Sequence, residues 1–89
     1  MQESLRNEMD KTWIVYILRC GDDTLYTGIT DDLEHRLAMH REGKGAKYTR
    51  GRGPLTLVYT EMVESKSAAL KREHAIKHLS RGEKLALIK

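Results

Sequence analysis

The sequence predicts an α+β domain in which a small three-stranded antiparallel sheet is flanked by helices, in the order ββαβαα. Three short stretches are rich in β-branched and aromatic residues, and three other stretches place helix-forming residues behind capping signals. A chain of 89 residues is long enough for one modest hydrophobic core. Because the first residues are polar and of mixed charge, we expect a flexible leader over residues 1–12 and a single domain over residues 13–89.

The first two strands form a predicted β-hairpin. Residues 13–19 are largely β-branched and aromatic, residues 21–24 favour a turn, and residues 25–30 are extended again. Side chains alternate between the two faces of a strand. Tyr26 therefore shares a face with Gly28, and Tyr16 shares a face with Ile14 and Leu18. The two phenols and the bare glycine can therefore meet on one surface.

A helix is predicted directly after the hairpin. Asp31 and Glu34 have the spacing of a capping box, and Gly43 is of the type that follows a helix end. Arg36 and His40 are four residues apart, so they lie one above the other. We expect this pair to flank the apolar stripe of the helix.

A basic, glycine-rich segment follows this helix. Residues 41–52, REGKGAKYTRGR, contain five basic residues, one Glu, three glycines and one tyrosine. This composition predicts a mobile cationic loop that suits a nucleic-acid backbone. Residues 35–89 hold thirteen basic and five acidic side chains, against three and eight in residues 1–34. That asymmetry favours a polyanionic partner, although a solvated basic face fits it equally well.

The third strand is predicted over residues 55–63. It should pair with the first strand, because residues 13–18 are almost continuously apolar, which is typical of a central strand covered on both faces. Residues 25–30 are more polar and suit an edge of the sheet. The predicted sheet therefore has the first strand in its centre.

Two further helices complete the predicted domain. The second helix covers residues 68–79, with Ser65 or Ser67 as its cap. Ser80 and Glu83 have the spacing of another capping box, which predicts a short final helix that ends near residue 89.

Glu73 breaks the pattern of the second helix. With Ala69 set at zero and roughly 100° per residue, Ile76 falls at roughly −20° and Glu73 at roughly +40°, inside the apolar arc. An acid that faces inward costs free energy unless a cation or hydrogen bonds satisfy it. Two explanations stay open, namely a salt bridge to Arg36 or another arginine, and a metal ligand.

Several other polar residues have ordinary explanations. Cys20 is expected to be a small residue at a strand end, and Tyr59 a strand aromatic with a satisfied hydroxyl. His74 and His78 have the spacing of a zinc pair but fall away from the apolar arc, so we expect them to face solvent. The lone cysteine and the lack of an apolar run long enough to span a membrane make the cytoplasm the default compartment.

Six residues taken together resemble a known family. Ile14-Val15-Tyr16 and Tyr26-Thr27-Gly28 are similar to the paired Gly-Ile-Tyr and Tyr-Ile-Gly motifs of the GIY-YIG nuclease domain. Arg36, His40 and Glu73 follow in the order of that domain. The resemblance covers residues 13–80, and the size resembles the small stand-alone bacterial members. Many members place an asparagine after the glutamate, whereas the only one here is Asn7, so Ser80 or Lys77 could take its supporting place.

The resemblance implies a metal-dependent endonuclease that acts on DNA ahead of RNA. Glu73 would be the single carboxylate that holds a divalent cation, Mg²⁺ first and Mn²⁺ second. Arg36 would clamp the scissile phosphate, and Tyr16 would be the general base. Tyr26 would orient water or phosphate, and His40 would share the proton transfer. A phenol of pKa about 10 is a poor base at neutral pH, so nearby cations must lower that pKa. The implied substrate-binding residues are Gly28, Lys44, Lys47, Tyr48, Arg50 and Arg52.

The small size favours a substrate recognised by its structure, as in DNA repair or recombination, over a long recognition sequence. Two other classes of function stay open. The missing asparagine and the degenerate motif also fit a nucleic-acid-binding module that has lost turnover. A subunit that works only with a protein partner is the third possibility.

Overall fold

The computed structural model describes residues 12–88, so all but the last residue of the expected leader lies outside the described residues. The predicted α+β class and the ββαβαα order are confirmed. The elements are β1 (Trp13–Arg19), β2 (Leu25–Thr30), α1 (Leu33–Arg41), a 3-10 helix (Lys47–Thr49), β3 (Thr56–Val63), α2 (Lys66–Lys77) and α3 (Arg81–Ile88). No helix within residues 12–88 combines the length and the apolarity that crossing a membrane requires.

The sheet has the order β2-β1-β3, and both pairings are antiparallel. The predicted central position of β1 and edge position of β2 are therefore confirmed. In the register of the hairpin, Tyr16 lies opposite Gly28 and Leu18 lies opposite Tyr26. Opposite residues of paired strands share a face, so the two tyrosines and the glycine meet on one surface as predicted.

The alternation along β1 divides the core between two faces of the sheet. Val15 and Ile17 are fully buried in one cluster with the apolar stripe of α2. Tyr16 and Leu18 are fully buried in the other, which α1 covers with half-buried leucines such as Leu33. This division places Tyr16 under α1, where the candidate site lies.

The predicted cap of α1 was wrong by one residue. Asp32, and not Asp31, is the N-cap, and its side chain accepts the backbone N–H of His35 at 3.2 Å. The Thr30 hydroxyl accepts the backbone N–H of Asp32 at 3.0 Å, which fixes the capping residue at the end of the strand. At the other end Gly43 follows the last helical turn with φ +79°, as predicted for a residue in this position.

The caps of the later helices follow the sequence more closely. Ser65, and not Ser67, caps α2 by accepting a backbone N–H at 3.1 Å. The capping box before α3 is confirmed, because the Ser80 N–H donates to Glu83 at 2.8 Å and the Glu83 N–H donates back to the Ser80 hydroxyl at 3.1 Å.

The loop predicted to be mobile is anchored at several points. Arg52 forms an ion pair with Asp22 of the hairpin turn at 2.5 Å, and its guanidinium lies 4.5 Å from the centre of the Tyr48 ring. Thr49, in the 3-10 helix, is buried. Arg52 thus ties the loop to the hairpin turn thirty residues earlier, and the mobility of the rest of the loop stays a prediction.

Candidate active site

A chain of hydrogen bonds leads away from the buried hydroxyl of Tyr16. This hydroxyl lies 2.8 Å from His40 Nε2, and His40 Nδ1 lies 3.0 Å from the Thr49 hydroxyl. The Thr49 hydroxyl donates its only proton to the Ala46 carbonyl at 2.9 Å, so it must accept from His40. His40 therefore carries its proton on Nδ1 and accepts the Tyr16 proton at Nε2.

His40 was expected to flank the helix stripe, and the structure buries it more deeply than that position alone predicts, because only 2% of the residue is exposed. Burial, together with the positive charge of Arg36, lowers the pKa of His40 below its usual value. His40 is therefore neutral at pH 7. A neutral imidazole with a free lone pair toward Tyr16 is a competent proton acceptor.

Arg36 lies half-buried on the other side of the same hydroxyl. Its Nε donates to the Tyr16 oxygen at 3.3 Å, and this hydrogen bond is the main cause of a raised Arg36 pKa. The guanidinium therefore stays charged. Because the bond uses only Nε, the planar fork keeps further donors for a phosphate.

The pKa of Tyr16 moves in the opposite direction to the one that a phenolate base needs. Burial raises it to about 12, and the hydrogen bond from Arg36 only partly opposes that rise. The charges of Tyr26 and Glu73 are smaller contributors to the same rise. A phenolate base needs nearby cations that lower its pKa, and the cations of the chain do not lower the pKa of Tyr16 below its usual value.

Tyr26 lies at the centre of an aromatic cluster. Its ring centre is 6.3 Å from that of Tyr16, 5.4 Å from that of His40 and 5.8 Å from that of Tyr48. Tyr48 is 43% exposed. The structure thus brings four of the predicted site residues into one layer that runs from the buried core to the surface.

Two glycines leave room for this cluster. A Cβ on Gly28 would lie 2.5 Å from the Tyr16 hydroxyl and 2.7 Å from its ring carbon, and a Cβ on Gly45 would strike the His40 ring. The observed reason for Gly28 is thus the space that Tyr16 fills. Its role in admitting a substrate backbone stays a prediction.

Glu73 is partly buried, as its place on the helix predicts, and 19% of its side chain is exposed. Its partner is Lys77 on the same helix, with Oε2 3.3 Å from Nζ, so the alternative of a salt bridge to Arg36 was wrong. The carboxylate acts on the site through its charge, which contributes to the raised Tyr16 pKa. Within residues 12–88, no three His, Cys, Asp or Glu side chains cluster as a metal site.

The predicted substrate-binding cations divide into two groups. Arg52 reaches the aromatic cluster through Tyr48. The exposed loop positions are Lys44, Lys47 and Arg50. Lys44 lies 3.9 Å from Glu42, a distance that leaves it well solvated.

Sequence reasoning missed Thr49, whose hydroxyl lies 3.0 Å from His40 Nδ1, and Gly45, which leaves space for the imidazole. Both lie in a loop without hydrophobic periodicity, so no local pattern marks them.

The ordinary explanations given for Tyr59, Cys20 and the two histidines are confirmed. Tyr59 donates to Glu61 at 2.6 Å, Cys20 is buried after β1, and His74 in α2 and His78 directly after it are both exposed.

Comparison with known proteins places this arrangement in context. A family model described as the GIY-YIG catalytic domain matches residues 12–86. A UPF0213 protein from Oceanobacillus iheyensis is 59% identical over 80 residues, which cover 90% of this chain and 93% of that relative. A UPF0213 protein from Natronomonas pharaonis is 60% identical over 74 residues, with 83% and 87% covered.

Solved structures show the same relationship. The solution NMR structure of a UPF0213 protein from Bacillus halodurans is similar with a TM-score of 0.57 and 51% identity, covering 86% of this chain and 82% of that one. The solution NMR structure of a protein from E. faecalis has a TM-score of 0.60 and 39% identity, with 86% and 83% covered.

Proposed function

The chain belongs to the GIY-YIG family, and from this premise we propose that it is a metal-dependent endonuclease that hydrolyses DNA phosphodiester bonds. The observation that carries the proposal is the contact of one buried hydroxyl with two different groups. Tyr16 donates to a neutral His40 and accepts from a charged Arg36. A proton acceptor and an anion-binding group thus meet at a single oxygen, which suits attack of water on a phosphate.

We assign the proton transfer to a relay. The relay requires that substrate binding expose the Tyr16 hydroxyl, which is fully buried in the structure. The attacking water then gives a proton to the Tyr16 oxygen while Tyr16 gives its own proton to His40 Nε2. The new P–O bond forms as the ester P–O bond breaks, and the leaving oxygen takes a proton from solvent. Because Tyr16 passes one proton on as it receives another, no free phenolate accumulates, and its raised pKa does not oppose the step.

Arg36 both binds the phosphate and adjusts the acceptor. Its guanidinium contributes to the lowered pKa of His40, which disfavours the imidazolium that the relay forms. A phosphate bound to Arg36 offsets that charge. Substrate binding would therefore raise the basicity of His40 at the moment when a proton acceptor is needed.

The residues fit the divalent cation that the family implies. Mg²⁺ is commonly held by one or two carboxylates, with waters and substrate phosphates as its other ligands, and Mn²⁺ is the second choice. The partly buried Glu73 already attracts one cation, the ammonium of Lys77, and would hold the metal alone. When bound, the metal supplies charge stabilisation for the phosphate and the leaving oxygen.

The basic loop suits the sugar-phosphate backbone of the substrate. Lys44, Lys47, Arg50 and Arg52 offer charges that displace counterions from phosphates, and Tyr48 offers an exposed ring. We propose DNA of branched or otherwise irregular structure as the substrate, repair or recombination as the setting and the cytoplasm as the compartment.

A cleavage assay tests the proposal. Purified protein is incubated with Mg²⁺ and a panel of duplex, flap and junction DNAs. We expect cleavage of at least one branched substrate, and its loss both with a chelator and in Glu73→Ala. No cleavage of any substrate, or unchanged cleavage by Glu73→Ala, would contradict the proposal. Salt-sensitive binding without any product would favour the module that has lost turnover.

A further inference from the structure

A groove lies along the edge strand β2, next to the aromatic cluster. None of the three residues of the proposed proton transfer, Tyr16, His40 and Arg36, lines it. One part, of about 360 Å³, is lined by Leu25, Tyr26, Thr27, Tyr48, Lys77 and Lys84. A second part, of about 210 Å³, is lined by Thr24, Leu25, Tyr48, Arg81 and Lys84. The two parts share three lining residues, so they adjoin each other between Tyr26 and α3 and are described together as the groove.

The floor of the groove is aromatic and aliphatic. Tyr48 is 43% exposed and lines both parts, together with the half-buried Leu25. A nucleobase packs on a surface of this kind, because every base has a π face that stacks on aromatic rings. The volume of the larger part lies within the range of small-molecule sites, which is suitable for one nucleotide.

The rim of the groove is cationic. Lys77 and Lys84 lie along one part, and Arg81 adds a third cation to the other. Lys77 pairs with Glu73, and Arg81 lies 3.2 Å from Asp23. Within residues 12–88, Lys84 has no acidic partner closer than 4 Å, so it is the cation of this groove that is least neutralised.

The position of the groove relates it to the reaction. It begins at Tyr26, whose ring contacts Tyr16 and His40, and Lys77 joins it to the Glu73 carboxylate. A nucleic-acid strand held at Arg36 would therefore reach the groove with a neighbouring nucleotide. A base in a duplex is stacked and paired, so only an unpaired base can pack on the groove floor.

We propose that this groove is a binding subsite for an unpaired nucleotide that flanks the scissile phosphate. The base packs on Leu25 and on the part of the Tyr48 ring that Arg52 leaves exposed, and the adjoining phosphate lies against Lys84. This inference rests on the proposed nuclease function and adds the class of substrate, a nucleic acid with a single-stranded flank. The subsite binds before any cleavage, so it can be tested without turnover.

Binding is measured in a chelator, which prevents metal-dependent cleavage. The probes are a short single-stranded DNA that carries 2-aminopurine and a blunt duplex of the same sequence. We expect Tyr48→Leu to weaken single-strand binding by about 5- to 150-fold and to lose the fluorescence quenching of the base. Tyr48→Phe keeps the ring and should bind as the wild type does.

Lys84→Ala removes the charge, and Lys71→Ala is its matched control because Lys71 is an exposed lysine of α2 outside the groove. We expect Lys84→Ala to reduce the slope of log affinity against log salt by about 0.7, and Lys71→Ala to leave it unchanged. Circular dichroism checks that each variant is folded. Blunt duplex binding should change much less than single-strand binding.

Three results would overturn the subsite. These are wild-type binding by Tyr48→Leu, equal effects of the two lysine variants, and equal losses for single strand and duplex. Failure of the proposed function is distinguishable from these results. If the protein cleaves no DNA in Mg²⁺ but its variants show the expected binding losses, the subsite stands and the nuclease proposal fails. If the protein cleaves DNA but its variants show no binding losses, the subsite is refuted and the nuclease proposal stands.

Discussion

Removal of a single oxygen, in Tyr16→Phe, tests whether the buried network is as the structure describes it. The hydroxyl satisfies His40 Nε2 at 2.8 Å and accepts from Arg36 at 3.3 Å. Tyr16 is fully buried and His40 is 2% exposed, so water cannot replace the lost donor without a rearrangement. A buried acceptor without a partner costs about 1–3 kcal/mol, and we expect that loss in the free energy of unfolding.

Tyr59→Phe is the matched control because it also removes one phenolic hydroxyl. Tyr59 is only half-buried, and its partner Glu61 keeps two hydrogen bonds from Arg72 at 3.0 Å. We therefore expect a loss below about 1 kcal/mol for this variant. Urea unfolding followed by circular dichroism measures both, and each kcal/mol corresponds to about 4–8 °C in melting temperature for a domain of this size.

A double-mutant cycle isolates the interaction between the two partners. In Tyr16→Phe/His40→Leu neither polar group is left alone, so the double variant should lose about 0.5–3 kcal/mol less than the sum of the single losses. Equal losses in Tyr16→Phe and Tyr59→Phe, together with additive effects in the cycle, would refute the buried hydrogen bond and the tautomer assigned to His40.

Three further changes have defined outcomes. Gly28→Ala places a Cβ 2.5 Å from a buried hydroxyl and should cost about 1–3 kcal/mol in urea unfolding, whereas Gly82→Ala, with its nearest neighbour at 4.0 Å, should be neutral or stabilising. Because the pKa of His40 is lowered in the folded state, the unfolded chain binds more protons, so stability should fall as the pH drops below about 6.5 and this loss should be smaller in His40→Gln. Ser65→Ala removes the cap of α2 and should cost about 0.5–2 kcal/mol in thermal unfolding, while Ser67→Ala, two residues later within the helix, should cost little.

The parts of the fold that follow from local patterns could be predicted from the sequence. Strand alternation is a local property, and it placed Tyr16 and Tyr26 on one face with Gly28. The position of Glu73 inside the apolar arc follows from helical geometry alone and agrees with its partial burial. The cap of α1 was missed by one residue, because Asp31 and Asp32 are chemically equal and only the strand end decides between them.

The parts of the site that depend on distant contacts could not be predicted. His40 is buried because the loop folds over it and presents Thr49, nine residues later. Arg52 and Asp22 are thirty residues apart, and no local pattern pairs one arginine among several with one of two adjacent aspartates. The error about the partner of Glu73 has a different cause, because Lys77 lies four residues later on the same helix and this i, i+4 pair was open to prediction from the sequence.

The most direct test of the proposed reaction compares two glutamates of similar burial. The side chain of Glu73 is 19% exposed and that of Glu61 is 28% exposed, and each pairs with one cation of α2. The rate of DNA cleavage is measured with enzyme in excess and saturating Mg²⁺ for Glu73→Gln and Glu61→Gln. Because a metal contributes several kcal/mol to the transition state, the first change should slow cleavage by at least about 100-fold, and the second by only a few-fold. Equal rates for the two variants would contradict the assignment of Glu73 as the metal-holding carboxylate.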